Sequence, residues 1–539
     1  MYTHNPGLFL DFLFSPVLSS PSRKEEVSVK MFFPTLPEVQ NLAAQFSMIP
    51  VKLTLLADKE TPIRLYQKFR SNHSFLLESV EGGSRWARYS FIGLRPFLTV
   101  EAKGNEILLT HRGKAPESLN GNPIEVLREL MKQYRSPNLK EMPRLAGGAV
   151  GYFGYNTLHY FENLPEHKHD SLNIADMRFL LVDELIAFDH LKQEIQIIVN
   201  LQVEEGASAE QIARAYERVC DRIGEIADQA VEEIADTSNS RQISVTSTES
   251  RTPNVKVNME RNVYEDMIMR AKEYIAAGDI FQVVLSQRFE LETEIDPFSV
   301  YRVLRTLNPS PYMYYFQFEQ ETIVGASPEL LVRVEDRKVE VRPIAGTRKR
   351  GNDRREDEEL AADLLADPKE LAEHMMLLDL GRNDVGKVST YGSVKVEEQN
   401  VIEYYSHVMH MVSHVSGTLR EELDPFDAFL SAFPAGTVSG APKLRAMEII
   451  AELEPDARGT YAGSIGYLSF TGNLDTCITI RTILFKDGKA YIQAGGGIVA
   501  DSEPALEYQE SVNKAAATIQ AIVKAEQLFL REGERSCCL

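Results

Sequence analysis

AFPAGTVSGAPKLRAMEII, Ala432–Ile450, changes character halfway along. Its first part holds Gly436, Thr437, Ser439, Gly440, Pro442 and Lys443 within eight positions, and its second part reads as a helix. Small residues let backbone N–H groups approach an anion closely, and a helix N-terminus behind them adds favourable potential. The G-x-x-x-x-G-K-[ST] spacing of a nucleotide-binding loop is missing. The loop therefore poses a question that the rest of the chain must answer: which anion it holds.

The chain has 539 residues, enough for two domains or one large composite domain. Hydrophobic residues make up 43% and charged residues 25%, a globular balance. Lys plus Arg number 58 and Asp plus Glu 79, a net charge of 58 − 79 = −21. Such a surface argues against nucleic acid as the main partner. An anionic small substrate needs a local basic or N–H-rich pocket. Cys220, Cys477, Cys537 and Cys538 show no zinc-like spacing, and all four read as reduced thiols of a cytoplasmic protein. No apolar run reaches the ~18 residues of a membrane span. GLFLDFLF near the start is short, contains Asp11 and lacks a basic flank, which argues against a signal peptide.

The expected organisation is an N-terminal extension over 1–45, a first domain over 46–230, a polar linker over 231–256, a catalytic domain over 257–530 and a tail over 531–539. The linker reading rests on DTSNSRQISVTSTESRTPN, which is Ser/Thr-rich and has no apolar period. Strand-like runs include SFLLESV, FLTVEA, EILLTH and EIQIIVNL, with the glycine-rich LAGGAVGYFGYN among them. The second half alternates helices such as YEDMIMRAKEYIAAG with strands such as ETIVGAS, LLVRVED and KAYIQAG. This mixture predicts an α+β fold of large sheets covered by helices.

Two predicted helices carry carboxylates at helical spacing. DPKELAEHMMLLDLGRNDVG, read as ending at Gly386, offers Glu370 and Glu373; EPALEYQESVNKAAATIQAIVKA offers Glu507 and Glu510, with Lys514 one turn on. Carboxylates converging from two helices suit a hard divalent cation, although a solvated face explains the same spacing. YSHVMHMVSHVSG holds His407, His410 and His414. Its valines favour a strand, which separates His407 from the other two and argues against a three-histidine zinc site. A zinc hydrolase is the competing class, and one histidine remains available for proton transfer.

RPIAGTRKRG, KELAEHMMLLDLGRNDVG, YSHVMHMVSHVSG, FPAGTVSGAPKLRAMEII, GSIGYLSFTGNLDTCITIRT and QAGGGIVADSEPALEYQESVNKA together resemble the segments of chorismate-utilising enzymes, most closely the anthranilate synthase large subunits. The resemblance runs from about Val51 to Glu526. It implies an α/β sandwich of packed antiparallel sheets with outer helices and an active site in a cleft. It implies Mg²⁺-dependent addition of ammonia to chorismate at C2, then loss of pyruvate. The metal would be held by Glu373 and Glu507, with Glu370 and Glu510 close by.

Thr437 would help place the ring. Arg481, Tyr467, Lys514 and the N–H groups of Gly495, Gly496 and Gly497 would receive the substrate carboxylates. His410 would move a proton during pyruvate loss, and Glu329 would act as acid toward the departing C4 hydroxyl, which requires a raised pKa.

Departures from relatives narrow the reaction. Aminodeoxychorismate synthases carry a lysine where this chain has Ala345 in PIAGT, and isochorismate and salicylate synthases use a lysine where it has Gln282. A neutral amide is no base at pH 7. Both point to ammonia addition at C2, with an aminodeoxyisochorismate synthase of the phenazine type as the alternative. No cysteine lies in a glycine-rich elbow, so ammonia is expected from a separate glutaminase subunit, in a heterodimer or heterotetramer. The resemblance also implies a tryptophan feedback site built from Leu77, Glu78 and Ser79 of LLES and from Asn308, Pro309, Pro311, Tyr312 and Met313 of NPSPYM.

Overall fold

The structure is a computed structural model and describes residues 31–79, 88–232, 254–405 and 408–529. His407, Cys537, Cys538, most of the 231–256 linker, residue 530 and the whole 531–539 tail lie outside the described residues. The described residues from Phe32 onward belong to one compact unit.

Among the described residues of that unit, two antiparallel sheets of 13 and 12 strands carry the fold. The first sheet runs Met48–Leu56, Glu194–Gln202, Glu184–Asp189, Tyr89–Gly93, Ser74–Glu78, Tyr312–Gln317, Glu321–Ser327, Thr482–Lys486, Lys489–Ile498, Gln282–Glu292. The second runs from Ile344–Lys349 and Val408–Thr418 through Leu330–Glu335, Leu474–Ile478 and Ser464–Ser469 to Gly148–Phe153 and Met177–Val182. Residues of both sheets, among them Val150, Leu180, Ile198, Phe316, Ile323 and Cys477, make up one apolar cluster. The α+β architecture read from the alternating patterns is the one observed.

Each sheet takes strands from both halves of the chain. Ser74–Glu78 pairs with Tyr312–Gln317, and Gly148–Phe153 pairs with Ser464–Ser469. The expected first and catalytic domains are thus not separate compact bodies, because the hydrogen-bond ladders run across the boundary between them. The expected extension is also shorter: Phe32–Phe33 pairs with Met48–Leu56, and Leu36–Leu42 is a helix opened by a Thr35–Glu38 capping box.

The glycine-rich LAGGAVGYFGYN supplies a fully buried strand, Gly148–Phe153. A Cβ at Gly151 would stand 2.0 Å from the Arg178 carbonyl oxygen, so the close approach of the next strand selects glycine there.

Helices cover the outer faces. Ala209–Val231, capped by Ser208, packs on Glu194–Gln202. Pro504–Phe529 lies on the glycine strand Lys489–Ile498. Pro368–Val388 packs on Ile344–Lys349 and Val408–Thr418. Its N-terminus is set by Asp367, whose side chain accepts from the N–H groups of Lys369 and Glu370, and by Pro368 at the first helical position. Gly386 does not end this helix, which continues to Val388. No described helix is long and apolar enough to cross a membrane.

Candidate active site

The two carboxylate helices approach each other from opposite sheets. Glu373 and Glu507 are both within electrostatic reach of Lys369 and Lys514. Glu373 is held above the usual carboxylate range by burial and then by Glu370; the Gln282 amide beside it acts in the opposite sense. Glu507 is likewise raised by burial, against a hydrogen bond of 2.7 Å from Ser502 Oγ.

The outer carboxylates are already taken. Glu370 pairs with Arg348 at 3.3 Å and Glu510 with Lys514 at 2.6 Å. Among the described residues no three metal-ligating side chains already enclose a site. What stands ready, among the described residues, is an inner pair of partly buried carboxylates that make no direct ion pair, and hard oxygen donors of this kind fit a divalent cation such as Mg²⁺.

The glycine strand forms the floor. Gly495, Gly496 and Gly497 pair with Ser286, Leu285 and Val284. A Cβ at Gly497 would stand 2.3 Å from Gln282 Nε2. Lys514 Nζ donates to the Gly495 carbonyl at 3.0 Å, which ties the second carboxylate helix to this strand. Arg481, at the end of the Leu474–Ile478 hairpin arm and with φ of 53°, donates to the Lys514 carbonyl at 3.3 Å. Burial lowers its pKa, and Tyr461, Glu510 and Glu329 are the groups that offset this.

Glu329 and Thr437 face each other on the other side. Burial pushes the Glu329 carboxyl up to about 7, against the nearby Thr437 hydroxyl, Lys514 and Arg481. Thr437 lies in the short turn Gly436–Val438 of the small-residue loop. Its Oγ1 is buried and makes no well-formed hydrogen bond, although it lies near enough to favour the charged form of Glu329. Gln282 Oε1 is a second buried oxygen without a partner. Both are buried polar atoms that a ligand in the cleft could satisfy.

His410 sits on the strand Val408–Thr418, as the valine pattern predicted. Its Nδ1 lies 3.1 Å from both Thr347 Oγ1 and the Gly346 carbonyl oxygen. Burial lowers its pKa, so the ring is neutral at pH 7. His414 is instead buried against Glu340 at 3.1 Å. The two histidines have different neighbours and do not form one metal site.

Tyr467 is misplaced by the sequence reading. It lines a different cavity, together with Leu77, Glu78, Ser79, Pro311, Tyr312 and Met313. The strand Ser464–Ser469 carries its ring to the edge of Phe91, centroids 6.2 Å apart, and close to Arg144 and Asp475. The tyrosine beside Arg481 is Tyr461, just before that strand. Its setting in RGTYAGS, between Gly459 and Gly463, was the available signal.

Asn308 and Pro309 do not line this cavity. Asn308 terminates the helix Pro297–Leu307, its N–H donating to Leu304. Within the cavity wall, Glu78 already accepts from Tyr301 at 2.6 Å and from Arg305 at 3.0 Å.

The family profile described as "chorismate binding enzyme" matches residues 73–520. The chain belongs to the chorismate-binding enzyme family. This chorismate-binding enzyme is 51% identical over 499 residues to anthranilate synthase component 1 of Acetivibrio thermocellus, covering 92% of this chain and 100% of the relative. It is 44% identical to the component 1 protein of Aquifex aeolicus, covering 92% and 98%. The solved structure of anthranilate synthase component I from Streptococcus pneumoniae superposes with a TM-score of 0.70 at 36% identity, covering 86% of this chain and 98% of that one. MenF, the menaquinone-specific isochorismate synthase of Escherichia coli, shares the fold with a TM-score of 0.64 at 18% identity.

Proposed function

We propose that this chorismate-binding enzyme is the large subunit of an anthranilate synthase, converting chorismate and ammonia to anthranilate, pyruvate and water in the first step of tryptophan biosynthesis. One observation carries the choice among related reactions. The two positions where relatives place a reactive lysine hold Gln282 and Ala345, buried and uncharged in their strands. Neither can form a covalent adduct or activate water. An external amine is then the nucleophile.

In the first step the ammonia lone pair forms the bond to C2, the ring double bonds shift, the C4 hydroxyl departs as water, and the new ammonium group releases a proton to become the amine. The proton for that departure comes from Glu329, which a pKa of about 7 leaves substantially protonated at neutral pH. In the second step a neutral His410 takes the C2 proton. The electron pair aromatises the ring, the C3–O bond breaks, and the enolpyruvyl arm leaves as the enolate of pyruvate, which takes up a proton at carbon to become pyruvate. Arg481, Lys514 and the glycine N–H groups hold carboxylates, and the Thr437 and Gln282 oxygens orient polar groups of the ring.

Glu373 and Glu507 would hold Mg²⁺, which offsets the ring-carboxylate charge when bound. The relatives' name, component 1, supports a glutaminase partner that supplies the ammonia. The cavity lined by Leu77, Glu78, Ser79, Pro311, Tyr312 and Met313 supports feedback by L-tryptophan, with Tyr467 added to its wall and Asn308 and Pro309 outside it.

The test is incubation of the purified chain with chorismate and Mg²⁺, with and without ammonium. The expected outcome is anthranilate fluorescence only with ammonium. Isochorismate, salicylate or aminodeoxychorismate as the product would overturn the reading, and accumulation of aminodeoxyisochorismate would favour the phenazine-type alternative.

A further inference from the structure

Arg458 is wholly buried, and so is its partner Glu454. Neither touches the substrate cleft described above, yet their hydrogen bonds end on three of its walls. Arg458 Nη1 donates to the Val438 carbonyl at 2.7 Å, and Val438 is the residue after Thr437. Nη2 donates to the Val284 carbonyl at 2.7 Å, on the strand that begins with Gln282 and pairs with Gly497. Nε and Nη2 also bind the two Glu454 oxygens at 2.8 and 2.7 Å. Glu454 Oε1 in turn accepts from the N–H and Oγ of Ser286, opposite Gly495. The guanidinium carbon lies 5.5 Å from the ring centroid of Tyr461, the tyrosine beside Arg481.

We propose that Arg458 is a positioning residue for the reaction, fixing the Thr437 turn against the Gln282 and glycine strands, with Glu454 orienting its guanidinium. A planar fork of donors is what joins two carbonyls from separate segments while bound to a carboxylate; a lysine reaches fewer of them. A buried ion pair is weak evidence for stability as such, since an apolar pair of similar volume often serves the fold as well. Its aim at two functional backbone segments gives it another purpose. The proposal rests on the chorismate reading for what the cleft does, but the clamp itself is a statement about two segments of this chain.

The test compares Arg458→Lys with Glu454→Gln, and with the double variant Arg458→Met/Glu454→Leu, all in the full chain. Arg458→Lys keeps the charge beside Glu454 and is expected to lower kcat about 100-fold, the scale expected of an ångström-level misplacement, with KM for chorismate changing far less. Glu454→Gln removes the charge that orients the guanidinium but leaves the Arg458 fork in place, and is expected to lower kcat by less than Arg458→Lys does. The double variant is expected to fold and to be as slow as Arg458→Lys.

Amide hydrogen exchange gives a readout independent of turnover. In Arg458→Lys, exchange is expected to rise in peptides spanning 433–442 and 282–288 and to stay at the wild-type level in Met48–Leu56 and Glu194–Gln202. Uniformly raised exchange, or kcat within about twofold of wild type in a folded Arg458→Lys, would overturn the clamp. Wild type that makes no anthranilate while the exchange pattern holds would instead remove the chorismate reading and leave the clamp standing.

Discussion

Gly496 faces Glu507 so closely that a Cβ added there would stand 3.1 Å from Glu507 Oε2 and 3.7 Å from Glu510 Oε1. The glycine strand therefore sets how far the second carboxylate helix reaches into the cleft. Gly496→Ala forces the Glu507 side chain to give way while leaving the strand register intact. The expected result is a rise of about 10-fold in the Mg²⁺ concentration for half-maximal rate, with an unchanged circular dichroism spectrum. An unchanged Mg²⁺ requirement would contradict this role for the glycine.

Glu373 and Glu507 are the inner carboxylates, and among the described residues neither makes a direct ion pair, although Lys369 and Lys514 lie within electrostatic reach of both. Glu373→Gln and Glu507→Gln should each abolish Mg²⁺-dependent turnover, since loss of charge weakens a hard-cation site. Calorimetric titration with Mn²⁺ in the absence of substrate supplies a readout apart from activity. Near-normal turnover at limiting Mg²⁺ in both variants would contradict the assignment.

Glu329 binds its proton more tightly in the fold than in the unfolded chain, because its pKa is raised from 4.5 to about 7. Its contribution to stability is therefore present at acid pH and is lost as pH rises from about 4.5 through about 7. Glu329→Gln should remove that dependence, so its melting temperature relative to wild type should rise between pH 5 and 8. The same proton is needed for departure of the C4 hydroxyl. The rate divided by free ammonia concentration should fall above pH 7 in wild type, and Glu329→Gln should lose most of its activity. A wild-type rate per ammonia that stays flat from pH 6 to 9 would contradict the acid role.

Much of this arrangement was legible in the sequence. The i, i+3 spacing of Glu370/Glu373 and Glu507/Glu510 placed each pair on one helix face, and valine content placed His410 on a strand. Which carboxylate of each pair is free was not legible. That depends on Arg348 and Lys514, brought close by the fold or by the next helical turn. Tyr467 was assigned to the wrong cavity because a strand residue's face depends on register with Gly148–Phe153, which lies over 300 positions away. The single-body packing of the two halves was hidden for the same reason: pairing such as Ser74–Glu78 with Tyr312–Gln317 leaves no local trace.

The placement of Tyr467 gives a direct prediction. Tyr467→Ala and Ser79→Phe should both raise the tryptophan concentration for half-inhibition at least about 10-fold, within the ~1–3 kcal/mol typical of coupling between sites. KM for chorismate should stay within about twofold. By reciprocity, chorismate must weaken tryptophan binding in wild type by the same factor that tryptophan weakens chorismate. A large rise in KM for Tyr467→Ala, with inhibition unchanged, would return this tyrosine to the substrate site.

The central claim is that this chain itself joins free ammonia to C2 of chorismate. Mass analysis of the product formed by pure chain from chorismate, Mg²⁺ and ¹⁵N-ammonium tests it most directly. The account predicts anthranilate carrying the full ¹⁵N label, and no anthranilate when amide-¹⁵N glutamine replaces ammonium. Nitrogen-free products in the presence of ammonium, or labelled anthranilate from glutamine alone, would contradict it.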